Sequence, residues 1–188
     1  MNRLILIRHS ETQPDSTAPS GEWRLSHKGR ELCRPLADKL TPYKPTILIS
    51  SYEPKAAETA RLTAERLGLP SQIAAGLQEH DRSNVGFMPS GERFESFIRE
   101  LFARPDELVF GTETANQAHD RFAAAVTNLQ AEYPGETLGI VTHGTVMTLF
   151  VAQANEVEPF AFWKELSMPC FVVLDLPDKR ILEIIALT

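Results

Sequence analysis

Three short apolar runs constrain what this chain can fold into more than any other feature. Residues 4–7 (LILI), 46–50 (TILIS) and 137–141 (TLGIV) show no polar alternation, and each gives way at once to polar residues. A strand with one wet face alternates; a strand without alternation has to be covered on both faces, as in a parallel sheet flanked by helices. The segments that follow the runs can supply those helices. Ser26 can cap a helix to about residue 40, with Leu32, Leu36 and Leu40 along one stripe and Leu25 at its entrance. Pro54 suits the first turn of another, which carries Ala57, Ala60, Ala64 and Leu67 and stops at Gly68. Residues 145–154 can form a helix after the third run. Repeated strand-then-helix units predict a layered α/β domain with parallel strands.

The remaining segments read less sharply. Residues 73–77 are a weak strand candidate, 92–102 a short helix before a break at Pro105, and 114–132 a long alanine-rich helix ending ahead of Pro134 and Gly135. Residues 171–176 and 181–186 flank PDKR as a hairpin or as two edge strands. Residues 10–22 contain Pro14, Pro19, Gly21 and several hydroxyl side chains, so they read as a long loop at the carboxyl end of the first strand. That is where an open α/β sheet places its ligand site. No repeat, linker or low-complexity tract divides the chain. With 188 residues, 43% apolar and 23% charged, residues 1–188 are expected to form a single domain around one core.

Charge and composition exclude several function classes. A net charge of -6 argues against nonspecific nucleic-acid binding, although a few local cations still suffice for a small anionic substrate. No run of 18 apolar residues exists, and Arg8, His9 and Glu11 interrupt the N-terminal apolar stretch, so neither a membrane span nor a signal peptide is predicted. A cytoplasmic location follows as the expectation. Cys33 and Cys170 lie far apart without metal-ligand spacing and read as ordinary thiols. Association into a homodimer stays open.

Two histidines stand at strand exits: Arg8-His9 follows the first run, and Thr142-His143-Gly144 follows the third. Each alone reads better as a surface residue. Together they carry more weight, because the carboxyl ends of parallel strands converge on one edge of a sheet. One neutral imidazole can then attack phosphorus, while a second, if protonated, hydrogen-bonds a nonbridging oxygen. Arg8 offers a forked donor pair for phosphate, and Lys55, at the start of the helix after the second run, offers another cation beside helix-terminal amides. Glu79 can protonate a departing oxygen, with desolvation and an incoming phosphate both favouring its acid form. In isolation Lys55 is a solvated lysine and Glu79 a surface carboxylate beside Arg82.

This ordered set resembles the histidine phosphatase superfamily, in particular its small bacterial-type phosphatase branch. LIRHSET (6–12) resembles the signature strand and Arg-His-Gly loop, implying His9 as phosphoryl acceptor and Arg8 as phosphate ligand. SSYEPKAAETA (50–60) resembles the second signature and implies Lys55 at the position usually held by arginine. LQEHD (77–81) matches the proton-donor segment, hence Glu79, and VTHG (141–144) matches the segment of the second pocket histidine, hence His143. LSHKGREL (25–32) and GTETANQAHDRF (111–122) are weaker matches. The resemblance implies a phosphoglycerate mutase-like, three-layer α/β/α sandwich with a mostly parallel central sheet.

Departures from the pattern bear on the substrate. Ser10 replaces the usual glycine, Lys55 keeps a charge without the rigid guanidinium fork, and Asp15 stands where many members have asparagine. Ser10, Asp15 and Trp23 are the expected substrate-side residues. Residues 81–110 and the 15–24 loop are the expected specificity regions; Phe87, Met88, Phe94, Phe97 and Trp23 can line an apolar lid, although helical phenylalanines are more often core residues. Phe160, Phe162 and Trp163 read better as buried within the chain than as a subunit contact, and His27, His80 and His119 carry no comparable signal.

The implied reaction is phosphomonoester hydrolysis through phospho-His9. Arg8, Lys55 and His143 hold the phosphate of a small phosphorylated metabolite, and Glu79 acts first as acid and then as base. No compact ligand group calls for a metal, and no cofactor is expected. Two alternatives remain. One is a mutase-like phosphoryl transferase, disfavoured by the short 81–112 interval. The other, motivated by Ser10, Lys55 and Asp15, is a catalytically weakened module that binds a phosphate ligand or a protein.

Overall fold

A computed structural model describes residues 3–187. In chain order the elements are β1 (Arg3–Arg8), β2 (Thr12–Gln13), β3 (Arg24–Leu25), α1 (His27–Leu40), β4 (Ile47–Ser50), α2 (Pro54–Leu67), β5 (Ser71–Ile73), α3 (Glu92–Ala103), α4 (Ala115–Glu132), β6 (Leu138–Thr142), α5 (Gly144–Ala152), α6 (Pro159–Glu165), β7 (Cys170–Asp175) and β8 (Ile181–Ala186). The main sheet has the order β5-β4-β6-β1-β7-β8. Its β5-β4, β4-β6 and β6-β1 pairings are parallel, while β7 runs antiparallel to both of its neighbours.

The missing alternation in β1 has a direct physical reason. Leu4 and Leu6 face one layer, where they pack with Phe122 and Val126 of α4, Val146 and Phe150 of α5, and Phe162 of α6. Ile5 and Ile7 face the other, against Leu36 and Leu40 of α1 and Ala56, Ala60 and Ala64 of α2. All four β1 side chains are essentially inaccessible to water. Full burial of each contributes about 1.5–3 kcal/mol, so an alternating sequence would be penalised on either face. The result is a three-layer α/β/α sandwich with a mostly parallel sheet, as the resemblance implies. A satellite cluster of Ile98, Leu101, Phe110, Ala115 and Phe160 joins α3 to α6 beside the main core.

Several elements differ from the sequence expectation. The third strand lies at Ser71–Ile73 instead of 73–77. It is the outermost strand of the sheet, with Ile73 exposed, so little apolar pattern marks it. The 10–22 loop contributes one strand of a small antiparallel pair, Thr12 opposite Leu25 and Gln13 opposite Arg24. The α6 helix was not legible, because seven residues carry too little period; Glu158 starts it by accepting from the amides of Phe160 and Ala161. Residues 170–186 form the hairpin, not separate edge strands.

The loop leaving β1 is bolted to the first turn of α1. Ser26 caps α1 by accepting from the Gly29 amide at 2.9 Å and donates its own hydroxyl to Glu11 Oε1 at 2.8 Å. Ser10 Oγ donates to the Gly29 carbonyl at 2.7 Å. A Cβ on Gly29 would stand 2.0 Å from the Glu11 carbonyl oxygen, so only glycine permits this approach. Gly29→Ala is therefore expected to lower unfolding free energy by about 1–3 kcal/mol, the usual cost of overpacking, in a urea titration. An unchanged midpoint would mean that the loop yields freely.

Candidate active site

The pairing of β1 with β6 sets Arg8 opposite Thr142, and the next amide, that of His9, donates to the Thr142 carbonyl at 2.9 Å. His9 and His143 thus leave adjacent strands side by side, with ring centroids 5.1 Å apart. His9 Nδ1 lies 2.8 Å from the Ser10 carbonyl oxygen. A carbonyl only accepts, so this contact assigns the proton to Nδ1 and leaves the Nε2 lone pair free. Burial foremost, then the neighbouring His143, Lys55 and Arg8, hold His9 well below the usual imidazole range, so the ring is neutral at pH 7.

Arg8 is fixed by one nitrogen and unpartnered at another. Its Nη1 donates to the Leu166 carbonyl, while its buried Nε has no partner. Gly144, at the start of α5, makes room for the guanidinium: a Cβ there would approach Arg8 Cζ and Nε and Trp163 Nε1 to 3.2 Å. His143 caps the same helix and is fully buried, with neither ring nitrogen hydrogen-bonded. Its Nε2 lies 3.4 Å from Glu53 Oε1. The Glu53 charge is already engaged by Lys55, so burial, reinforced by Lys55, prevails and keeps His143 neutral as well.

Glu79 occupies the N-terminus of α5. Its carboxylate accepts from the amides of Thr145 and Val146, each at 3.2 Å, and from the His80 amide at 2.9 Å. Arg82 Nη2 stands 3.6 Å away. Burial alone would raise this carboxyl, but Arg82, the leading positive neighbour, and the amides outweigh it and hold Glu79 below the usual range. No strand carries Glu79. Instead Arg121 of α4 clasps its segment, donating to the carbonyls of Gly76, Gln78 and Glu79, while pairing with Glu113 at 2.6 Å. Thr142 Oγ1 adds a bond to the Leu77 carbonyl at 2.8 Å.

Arg8, His9, Lys55, Glu79 and His143 all line one cavity of about 120 Å³. Arg82 and Thr145 line it too, and Trp23, Phe87, Met88, Phe94 and Trp163 form its apolar wall. Two of the expected substrate-side residues are elsewhere. Ser10 is spent inside the fold, its hydroxyl on Gly29 and its amide donating to Thr59 Oγ1 at 3.0 Å, because the chain turns toward α1 as it leaves β1. Asp15 is exposed and closes its own turn by accepting from the amide and hydroxyl of Thr17, without meeting Lys55. Trp23 does reach the cavity, its indole anchored to the carbonyls of Asp15 and Ala18. Phe97 packs against the satellite core and not in the lid. The helix-terminal amides expected beside Lys55 are also used: those of Ala56 and Ala57 in α2 donate to the Glu53 carbonyl.

Sequence reasoning missed Glu53 and passed over Arg82. Glu53 accepts from Lys55 Nζ at 2.5 Å and from the Glu79 amide at 2.8 Å. The available signal was an acid placed between a buried strand and a helix-starting proline, two residues before the expected cation. Among the described residues no group of three or more His, Cys, Asp or Glu side chains is placed to hold a metal ion, and no helix is long and apolar enough to cross a membrane. Both cysteines are free and buried.

The profile of the histidine phosphatase superfamily (branch 1) matches residues 4–182. The chain belongs to that superfamily. A curated relative, an uncharacterized phosphatase PhoE of Bacillus subtilis (strain 168), is 23% identical over 192 residues, covering 96% of this chain and 91% of its own. Solved structures of proteins named as phosphatases share the fold. A mutant phosphoserine phosphatase from Entamoeba histolytica, in complex with phosphoserine, superposes with a TM-score of 0.76 at 18% identity over 99% of this chain and 98% of its own. The mycobacterial glucosyl-3-phosphoglycerate phosphatase complexed with VO3 gives 0.75 at 19% identity over 96% of both chains. A putative alpha-ribazole-5'-P phosphatase from Escherichia coli gives 0.72 at 22% identity, over 100% of this chain and 98% of its own. As a member of the superfamily, the chain is an enzyme of histidine-phosphatase-type phosphoryl chemistry.

The two neutral histidines link stability to pH. Both have folded values below the unfolded 6.5, so below pH 6.5 the unfolded chain binds more protons and stability falls as the pH drops. Urea midpoints should decline on acidification from pH 6.5, with a shallower slope in His143→Gln. Parallel profiles for the two proteins would contradict this source of the slope.

Proposed function

We propose that this chain hydrolyses phosphomonoesters of small molecules through a covalent phosphohistidine on His9. The observation that carries the reading is the bond from His9 Nδ1 to the Ser10 carbonyl, which leaves Nε2 as a nucleophile in a cavity also lined by Arg8, Glu79 and His143. The phosphate enters against the unpartnered Arg8 Nε and a ring N–H of His143, and its negative charge raises Glu79 into the protonated form needed to act as an acid. Lys55 lends positive charge from its fixed place beside Glu53. The cationic side chains supply the charge stabilisation that metal ions supply in other phosphoryl-transfer sites, so the proposal requires no metal or cofactor.

In the first step Nε2 forms a bond to phosphorus in line with the departing ester oxygen. The P–O bond breaks, its electron pair goes to that oxygen, and the oxygen takes the Glu79 proton as the alcohol leaves. A water then attacks phosphorus and gives its proton to Glu79. The N–P bond breaks with its electrons returning to Nε2, and inorganic phosphate is released. The relatives named for phosphoserine, glucosyl-3-phosphoglycerate and alpha-ribazole-5'-P support hydrolysis of small phosphorylated molecules. The 81–110 segment supplies Arg82, Phe87, Met88 and Phe94 to the cavity, and it is proposed as the specificity region of a single catalytic domain. Its apolar side chains favour an apolar or aromatic alcohol. The limited volume favours release of the alcohol over the retention and turning that a mutase requires.

Turnover of p-nitrophenyl phosphate by the wild type should disappear in His9→Ala. Glu79→Gln should lose about 10²–10⁴-fold on an alkyl phosphate, whose oxygen needs a proton, and much less on p-nitrophenyl phosphate, whose leaving group does not. Equal losses on both esters would remove Glu79 from the acid role, and equal phosphate release by wild type and His9→Ala would defeat the covalent route.

A further inference from the structure

The cavity has a cation that the sequence pattern does not assign, and the expected one is occupied. Lys55 Nζ donates to Glu53 Oε2 at 2.5 Å and to the Ser20 carbonyl at 2.7 Å, and the side chains of the pair are only 7% and 8% exposed. A buried ion pair of this kind holds both partners, because separating them would leave an uncompensated charge out of water. Glu53 also stands 3.4 Å from His143 Nε2, so one carboxylate approaches two of the groups expected to serve phosphate.

Arg82 is arranged in the opposite way. It lines the same cavity as Arg8 and His9, and its guanidinium lies over the Phe94 ring at 4.9 Å, which sets its orientation. Its Nη2 is 3.6 Å from Glu79, outside hydrogen-bond range, and its buried Nη1 has no partner. The buried Arg8 Nε is likewise unpartnered. Buried N–H groups without acceptors are costly. Two arginines that line one small cavity, each with an unpartnered buried N–H, fit an anion that supplies oxygens to both.

We propose that Arg82 is a catalytic residue that donates directly to the phosphoryl group as a second guanidinium clamp with Arg8, while Glu53 holds Lys55 in a supporting role. The charges balance on this arrangement. Lys55 and Glu53 offset each other, and with Glu79 protonated the two arginines match a phosphomonoester dianion. After Glu79 gives up its proton, Arg82 is also positioned beside the new carboxylate. The proposal rests on the phosphatase reading of the site.

The test separates anion binding from turnover. Inorganic phosphate is titrated calorimetrically into wild type, Arg82→Gln, Arg82→Lys and the double variant Glu53→Gln/Lys55→Gln, and KM and kcat for p-nitrophenyl phosphate are measured on the same proteins. Loss of a charge-assisted contact predicts phosphate binding weakened about 10–100-fold in Arg82→Gln. Partial recovery is expected in Arg82→Lys, with a smaller loss in the double variant. Removing both members of the buried pair avoids leaving either charge unpaired, and the lysine variant covers a folding failure of the glutamine one. Wild-type phosphate affinity in Arg82→Gln, with only kcat reduced, would overturn the proposal and leave Arg82 as a positioning residue for Glu79. Absence of wild-type turnover would instead count against the phosphatase reading, and phosphate binding would still report on Arg82.

Discussion

Everything at this site hangs on the parallel ladder between β1 and β6. Because Arg8 lies opposite Thr142 and the His9 amide continues the ladder onto the Thr142 carbonyl, the two imidazoles are delivered to one edge by backbone geometry before any side chain chooses a rotamer. A slip of one residue would turn every β1 side chain to the opposite face. It would put Leu4 and Leu6 where Ile5 and Ile7 belong, among the helices of the wrong layer. The register that buries the core is therefore the same register that builds the site.

Around that fixed pair the protein spends its polar groups in layers. Arg8 is held by Leu166 and given space by Gly144, and Glu79 is seated on the first-turn amides of α5 while Arg121 fixes the segment behind it. A helix N-terminus that could have held phosphate holds the Glu79 carboxylate instead. This arrangement favours the ionised form of Glu79, and an arriving dianion would oppose that charge directly. In the proposed reaction, proton uptake by Glu79 is thereby coupled to occupation by substrate.

Much of this was legible in the sequence because it depends on local rules. The unalternating runs gave the parallel sheet, Ser26, Pro54 and Gly68 marked helix ends, and the residues at strand exits gave His9 and His143. What failed depends on tertiary direction. A sequence does not say which way a strand exit turns, so Ser10 reads as a substrate-side residue although its hydroxyl points to Gly29. Asp15 is a similar case, satisfied by Thr17 two residues on. Lys55 was found by its position, but its partner Glu53 was not, since neither spacing nor period announces a buried ion pair. Arg82 was visible only as a neighbour of Glu79; its place in the cavity wall follows from how the chain after Glu79 folds back toward Phe94.

The central claim is that His9 Nε2 takes the phosphoryl group from substrate. Its most direct measurement is a rapid alkaline quench during turnover, followed by peptide mass spectrometry and phosphorus NMR of the trapped adduct. The account predicts a phosphoramidate on His9 at Nε2, formed and lost at rates compatible with turnover. A phosphoryl group trapped on Nδ1, on His143 or on another side chain, or turnover with no adduct at all, would contradict it.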